Sequence, residues 1–91
     1  MNDGTWTLSS LEDEVFNIIK IEKKLDDSYK PDTPLESIGL DSLALVRILV
    51  AIDQLTGVWL EGDALSSENL RDAKSVAQLV YDNLETAATP A

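Results

Sequence analysis

The chain has 91 residues, with 17 acidic against 7 basic side chains, a formal charge of −10, no cysteine and no histidine. This excludes disulfides, thiolate zinc sites, imidazole general bases and the usual nucleophile–histidine–acid triads. The charge repels nucleic acid and anionic membrane surfaces and attracts proteins with basic patches. The length allows one domain with a single modest core, too small for a deep cleft between lobes. No window reaches the roughly 18 uninterrupted apolar residues of a membrane span, and Met1 is not followed by a basic then apolar signal region. A cytoplasmic monomer is expected.

Residues 1–7, MNDGTWT, hold turn formers without periodicity and read as an arm that Trp6 pins to the body. Ser9 and Glu12 have the spacing of a capping box. Leu11, Val15, Ile18 and Leu25 then recur at helical intervals, with Ile19 and Ile21 at the edges, so a first helix is expected from about Ser10 to about Leu25. Glu22 falls on that apolar seam, which leaves two outcomes open: the last turn frays, or it tilts out of the core. Residues 26–41, DDSYKPDTPLESIGLD, carry Pro31, Pro34 and Gly39, which forbid a continuous helix and make a long connection. Leu35, Ile38 and Leu40 are the aliphatics able to tie it to the core.

A second helix is expected from Ser42 to about Leu55, ended by Thr56 and Gly57, the glycine suiting a left-handed cap. Asp63 is positioned to cap a short helical turn through ALSSE, and Asp72 to cap a last helix through AKSVAQLVYDNL. Ala73, Val76, Ala77, Val80 and Leu84 form one stripe of that helix. The final ETAATPA is small and polar, the composition of a tail or linker stub. The chain thus divides into an arm (1–7), a domain (8–85) and a flexible tail (86–91), with no repeat and no convincing strand. The fold class is all-α: a small four-helix bundle of three principal helices and one short one, with a long loop between the first two.

The second helix has more apolar surface than a core needs. Leu45, Ile48, Leu49, Ile52 and Leu55 share one arc, which leaves Leu43 and Val50 nearly opposite, beside Arg47 and Gln54, and Val46 between the faces. Such a second face either is buried all round or docks a partner, and docking is the better fit for so small a bundle. Ser42 stands at the start of the same helix. As a structural residue it is a favoured N-cap. Asp41 is equally able to cap, Gly39 lets the chain turn, and a phosphate attached to Ser42 would lie near the positive end of the helix dipole. With no histidine to activate the hydroxyl, chemistry performed on this serine is more reasonable than chemistry performed by it.

IGLDSLALVRILVAIDQLTGVWLEGDAL closely resembles the signature of the acyl carrier protein family, an apolar-Gly-x-Asp-Ser-Leu run opening a helix, followed by a short apolar segment and a further helix. The resemblance covers roughly residues 8–85. It implies a right-handed-type four-helix bundle and a carrier that is not itself an enzyme. By this likeness, a phosphopantetheinyl transferase moves 4′-phosphopantetheine from coenzyme A onto Ser42, and the arm's thiol holds an acyl group as a thioester. Asp41 matches the family aspartate that orders the transferase's magnesium and coenzyme A. Leu43 and Val50 match positions that contact partner enzymes, with Val46 and Arg47 on the same face. The partners implied are the transferase, an acyl-loading acyltransferase or ligase, and a ketosynthase or other acyl-processing enzyme.

One departure bears on the pathway. Many fatty-acid carriers line this helix with glutamates, whereas Ala44 and Arg47 stand where acids are often found, leaving Asp41 and Asp53 to bracket it. Docking is therefore expected to rely more on apolar contact, with Arg47 meeting an acidic group on at least one dedicated partner, and the pathway to be polyketide or related secondary metabolism. Leu40 before Asp41 favours acyl over peptidyl carriers, although stand-alone aminoacyl carriers share this look. A discrete protein starting at Met1 is expected, with an excised module as the alternative.

Three rival readings are weaker. A calcium loop from Asp3 to Glu14 has acids at its first and last positions, but Leu8 replaces the required glycine and Thr5 and Thr7 replace inner carboxylates. A non-catalytic adaptor would use the same greasy helix with Ser42 as an ordinary cap. An independent enzyme lacks a base or nucleophile beside Asp26, Asp27, Asp32 and Asp41. Trp59, between Val58 and Leu60, is expected to pack in the core or half-buried, the alternatives being a cargo pocket or a partner contact.

Overall fold

A computed structural model describes residues 6–88. Helix α1 spans Leu8–Lys23, α2 Ser42–Thr56 and α3 Ala73–Ala88, with 3-10 turns at Leu35–Ile38 and Gly62–Leu65. Among the described residues there is no strand, so the chain is all-α, and α1 packs against both α3 and α2. The expected short helix is the second 3-10 turn. Asp63 lies inside that turn and does not cap it, because the chain enters through Glu61, which makes no side-chain cap. Residues 1–5 of the expected arm and 89–91 of the expected tail lie outside the described residues, while 86–88 are helical backbone continuing α3.

The capping box of α1 sits upstream of the expected Ser9–Glu12 pair. Thr7 is the N-cap: its hydroxyl accepts from the Ser10 N–H at 3.1 Å, and Ser10 Oγ accepts from the Thr7 N–H at 3.0 Å. A serine three residues on thus does the work usually given to glutamate or glutamine. Leu11, Val15 and Ile19 form the buried stripe, Ile18 is half-buried, and Ile21 points to solvent. The helix stops before the expected Leu25 because Lys24 turns left-handed at φ 53°, its N–H donating to the carbonyls of Lys20 and Ile21. Leu25 still packs against the core from beyond that turn. Trp6 does so from the other end.

The long connection is held from both sides. Leu35 is buried as expected, with Ile38 and Leu40 packed against the core beside it. Its backbone is tied to the start of α3, the Leu35 N–H donating to the Arg71 carbonyl at 2.9 Å and the Lys74 N–H to the Pro31 carbonyl at 3.3 Å. Tyr29 adds a tie that hydrophobic periodicity does not reveal: its ring stacks on Phe16 with centroids 4.6 Å apart and planes 2° from parallel. α3 is capped as expected, with Asp72 Oδ1 accepting from the Ser75 N–H at 2.8 Å, and Ala73, Val76, Ala77 and Val80 fill the core.

The Tyr29 hydroxyl is buried without a hydrogen-bond partner among the described residues, and burial, aided by the negative charge of Asp72, pushes its pKa up from 10.0 to about 12. The folded state thus favours the neutral phenol. Its contribution to stability is intact below pH 10.0 and is lost as the pH rises from there through about 12. Tyr29→Phe removes a buried polar atom that bonds to no described residue. It should leave stability at neutral pH unchanged or raise it by up to about 1 kcal/mol, and should flatten the alkaline loss, both read from urea melts across pH.

Candidate functional site at the start of helix α2

Three local features place Ser42. Gly39 adopts φ 70°, a left-handed turn that a side chain would strain, and brings the chain out of the first 3-10 turn. The Lys23 ammonium donates to the Gly39 carbonyl at 3.1 Å, fixing this corner to the end of α1. Asp41 then takes extended backbone and caps α2, its Oδ1 accepting from the Ala44 N–H at 2.8 Å.

Ser42 is therefore the first residue of the helix and not its cap. Its side chain is exposed, and its hydroxyl forms no hydrogen bond to any described residue. The Asp41 carboxylate occupies the Ala44 N–H, and the remaining N–H groups of the first turn and the helix dipole stand beside the free hydroxyl.

The outer face of α2 is apolar as expected: Leu43 is 61% exposed, Val46 49% and Val50 38%. The core arc differs at both ends. Ala44 is buried, whereas Leu55 lies at the surface and Val58 and Leu60, beyond the helix, are in the core instead. Because Ala44 faces inward, a carboxylate there would be desolvated, and its lack of charge says nothing about docking. Gly57 ends the helix in the expected left-handed cap at φ 80°. Trp59 stands 48% exposed between its buried neighbours, its indole N–H donating to Glu61 Oε1 at 3.2 Å.

Arg47 has a partner that the sequence reading missed. Its guanidinium lies 3.6 Å from Glu22 Oε2, so an α1 carboxylate on the apolar seam answers a cation on α2. This resolves the position of Glu22: the pair accommodates it at the rim, in a helix that ends one residue later at Lys23. The Arg47 side chain remains 60% exposed, which keeps the pair weak and screened by salt. Arg47→Glu, which sets two carboxylates together, should lower stability in urea melts by about 0.5–1 kcal/mol at low salt, and the exchange Glu22→Arg/Arg47→Glu should recover most of it.

The calcium-loop rival does not survive the backbone. From Leu8 onward its second half is helix, and Thr7 is engaged as the cap. Among the described residues no helix is long and apolar enough to cross a membrane.

With that geometry in view, the comparison with known families is direct: the profile described as the phosphopantetheine attachment site matches residues 17–80, well over half of the chain. The chain belongs to this family. No curated protein and no solved structure matches it. Members of the phosphopantetheine-attachment family are non-catalytic carriers that hold substrates on a 4′-phosphopantetheine arm for other enzymes and that interact with a phosphopantetheinyl transferase as well as with those partner enzymes.

The start of α2 fits such an arm. A phosphate ester needs an accessible oxygen without a structural duty and a setting that tolerates an anion, and Ser42 Oγ at the helix N-terminus offers both. When bound, the arm supplies a thiol, which this cysteine-free chain lacks.

Proposed function

We propose that the chain is an acyl carrier protein whose arm is attached at Ser42 and which serves polyketide or related secondary metabolism. The observation that carries the attachment site is the division of labour at the start of α2: Asp41 does the capping, so the exposed Ser42 hydroxyl is left without structural work. In the transfer, Ser42 Oγ bonds to the phosphorus of the phosphopantetheine half of coenzyme A, the bond to the nucleotide half breaks, and the serine proton passes to a base. That base belongs to the transferase, because the chain has no histidine and no described residue is hydrogen-bonded to Ser42 Oγ. Asp41, its second carboxylate oxygen free of the cap, is the residue offered to the transferase's magnesium and coenzyme A.

Leu43, Val46, Arg47 and Val50 are the face that acyl-loading and acyl-processing enzymes meet. The departure at Arg47 supports a specialised pathway, whereas Ala44, being buried, does not contribute. The reading includes action as a cytoplasmic monomer, and the charge of −10, which opposes self-association, supports the monomer.

Incubation with coenzyme A, magnesium and a broad-specificity phosphopantetheinyl transferase should add the mass of one phosphopantetheine, and an unchanged mass overturns the reading. Intact mass of the protein from its native producer tests the cargo: an acyl adduct is expected, and an aminoacyl adduct would replace the pathway.

A further inference from the structure

Ile21 is 75% exposed, the most exposed of the large apolar side chains described, and it lies outside the α2 face. The Glu22–Arg47 pair at 3.6 Å shows which flank of α1 adjoins α2. At about 100° per residue, Ile18 falls between Glu22 and Ile21 around the helix, so Ile21 is on the solvent side of that flank. On α2, Leu43 and Val50 sit one turn before and one turn after Arg47, also toward solvent. Exposed apolar residues thus stand on both of the helices that the ion pair joins.

Size decides what covers them. Arg47 is about 7–8 Å along the helix axis from Ser42. A specific protein interface covers about 800 Å² of each partner, equivalent to a disc of about 16 Å radius, so one centred on Ser42 extends beyond Arg47 onto α1. A second copy of the chain is opposed by a charge of −10 on each.

We propose that the phosphopantetheinyl transferase covers α1 as well as α2, with Ile21 as its apolar contact on α1. This rests on Ser42 being the modified residue. The fitting transferase surface is apolar opposite Ile21, Leu43 and Val50 and presents an oxygen acceptor to Arg47, whose N–H groups make no hydrogen bond to described residues.

Steady-state transfer from coenzyme A by a broad-specificity transferase tests it, with thermal melts confirming the fold. Ile21→Glu should raise KM for the carrier about tenfold with kcat little changed, and Ile21→Val should stay near wild type. If Ile21→Glu leaves KM unchanged while Leu43→Glu raises it, α1 lies outside the footprint and the proposal is wrong. If wild type itself gains no mass, the reading of Ser42 fails first and takes this proposal with it.

Discussion

Ser42→Ala should abolish the mass gain on treatment with transferase and coenzyme A while leaving the fold intact. The substitution deletes one exposed oxygen that bonds to no described residue, and the cap of α2, the Asp41 carboxylate on the Ala44 N–H at 2.8 Å, is untouched. If Ser42 were the N-cap, its loss would cost typically about 1 kcal/mol of stability. As the first helical residue it should cost a few tenths or less, alanine being the better helix former. The experiment therefore reads two quantities, mass and unfolding midpoint. A variant that still gains the arm's mass places the attachment elsewhere. One that loses about 1 kcal/mol of stability returns the serine to a structural role.

Leu35→Ala should be the most disruptive single change near the site. The side chain is 3% exposed and belongs to the buried cluster, so its loss leaves a cavity at a cost of about 2–4 kcal/mol. Against a total of roughly 5–15 kcal/mol for a domain of this kind, the urea midpoint should fall steeply. The backbone bond from the Leu35 N–H to the Arg71 carbonyl survives the substitution, so the defect is one of packing and not of chain path. A loss under about 1 kcal/mol would mean that Tyr29, Ile38 and Leu40 alone suffice to hold the connection.

What was readable in the sequence divides by range. Signals confined to one turn were legible: Gly57 ends α2, Asp72 caps α3, and Leu43, Val46 and Val50 stand apart from the core arc. Errors at the ends of α1 arose where several local options compete. Thr7 and Ser10 satisfy each other before Ser9 and Glu12 can act, and a lysine adopts the left-handed turn usually given to glycine. The Glu22–Arg47 pair and the Phe16–Tyr29 stack join residues far apart in the chain. No single-sequence periodicity encodes such contacts. The likeness to the carrier family pointed to Ser42, and the geometry supplied the reason that this hydroxyl is free.

That Asp41, one residue earlier, secures the helix has a consequence for traffic. If the arm is anchored at the neighbouring oxygen, cargo is exchanged at the arm's thiol while the scaffold that carries it already has its own bonds complete. Every visiting enzyme then meets the same platform, and what it must discriminate is the passenger.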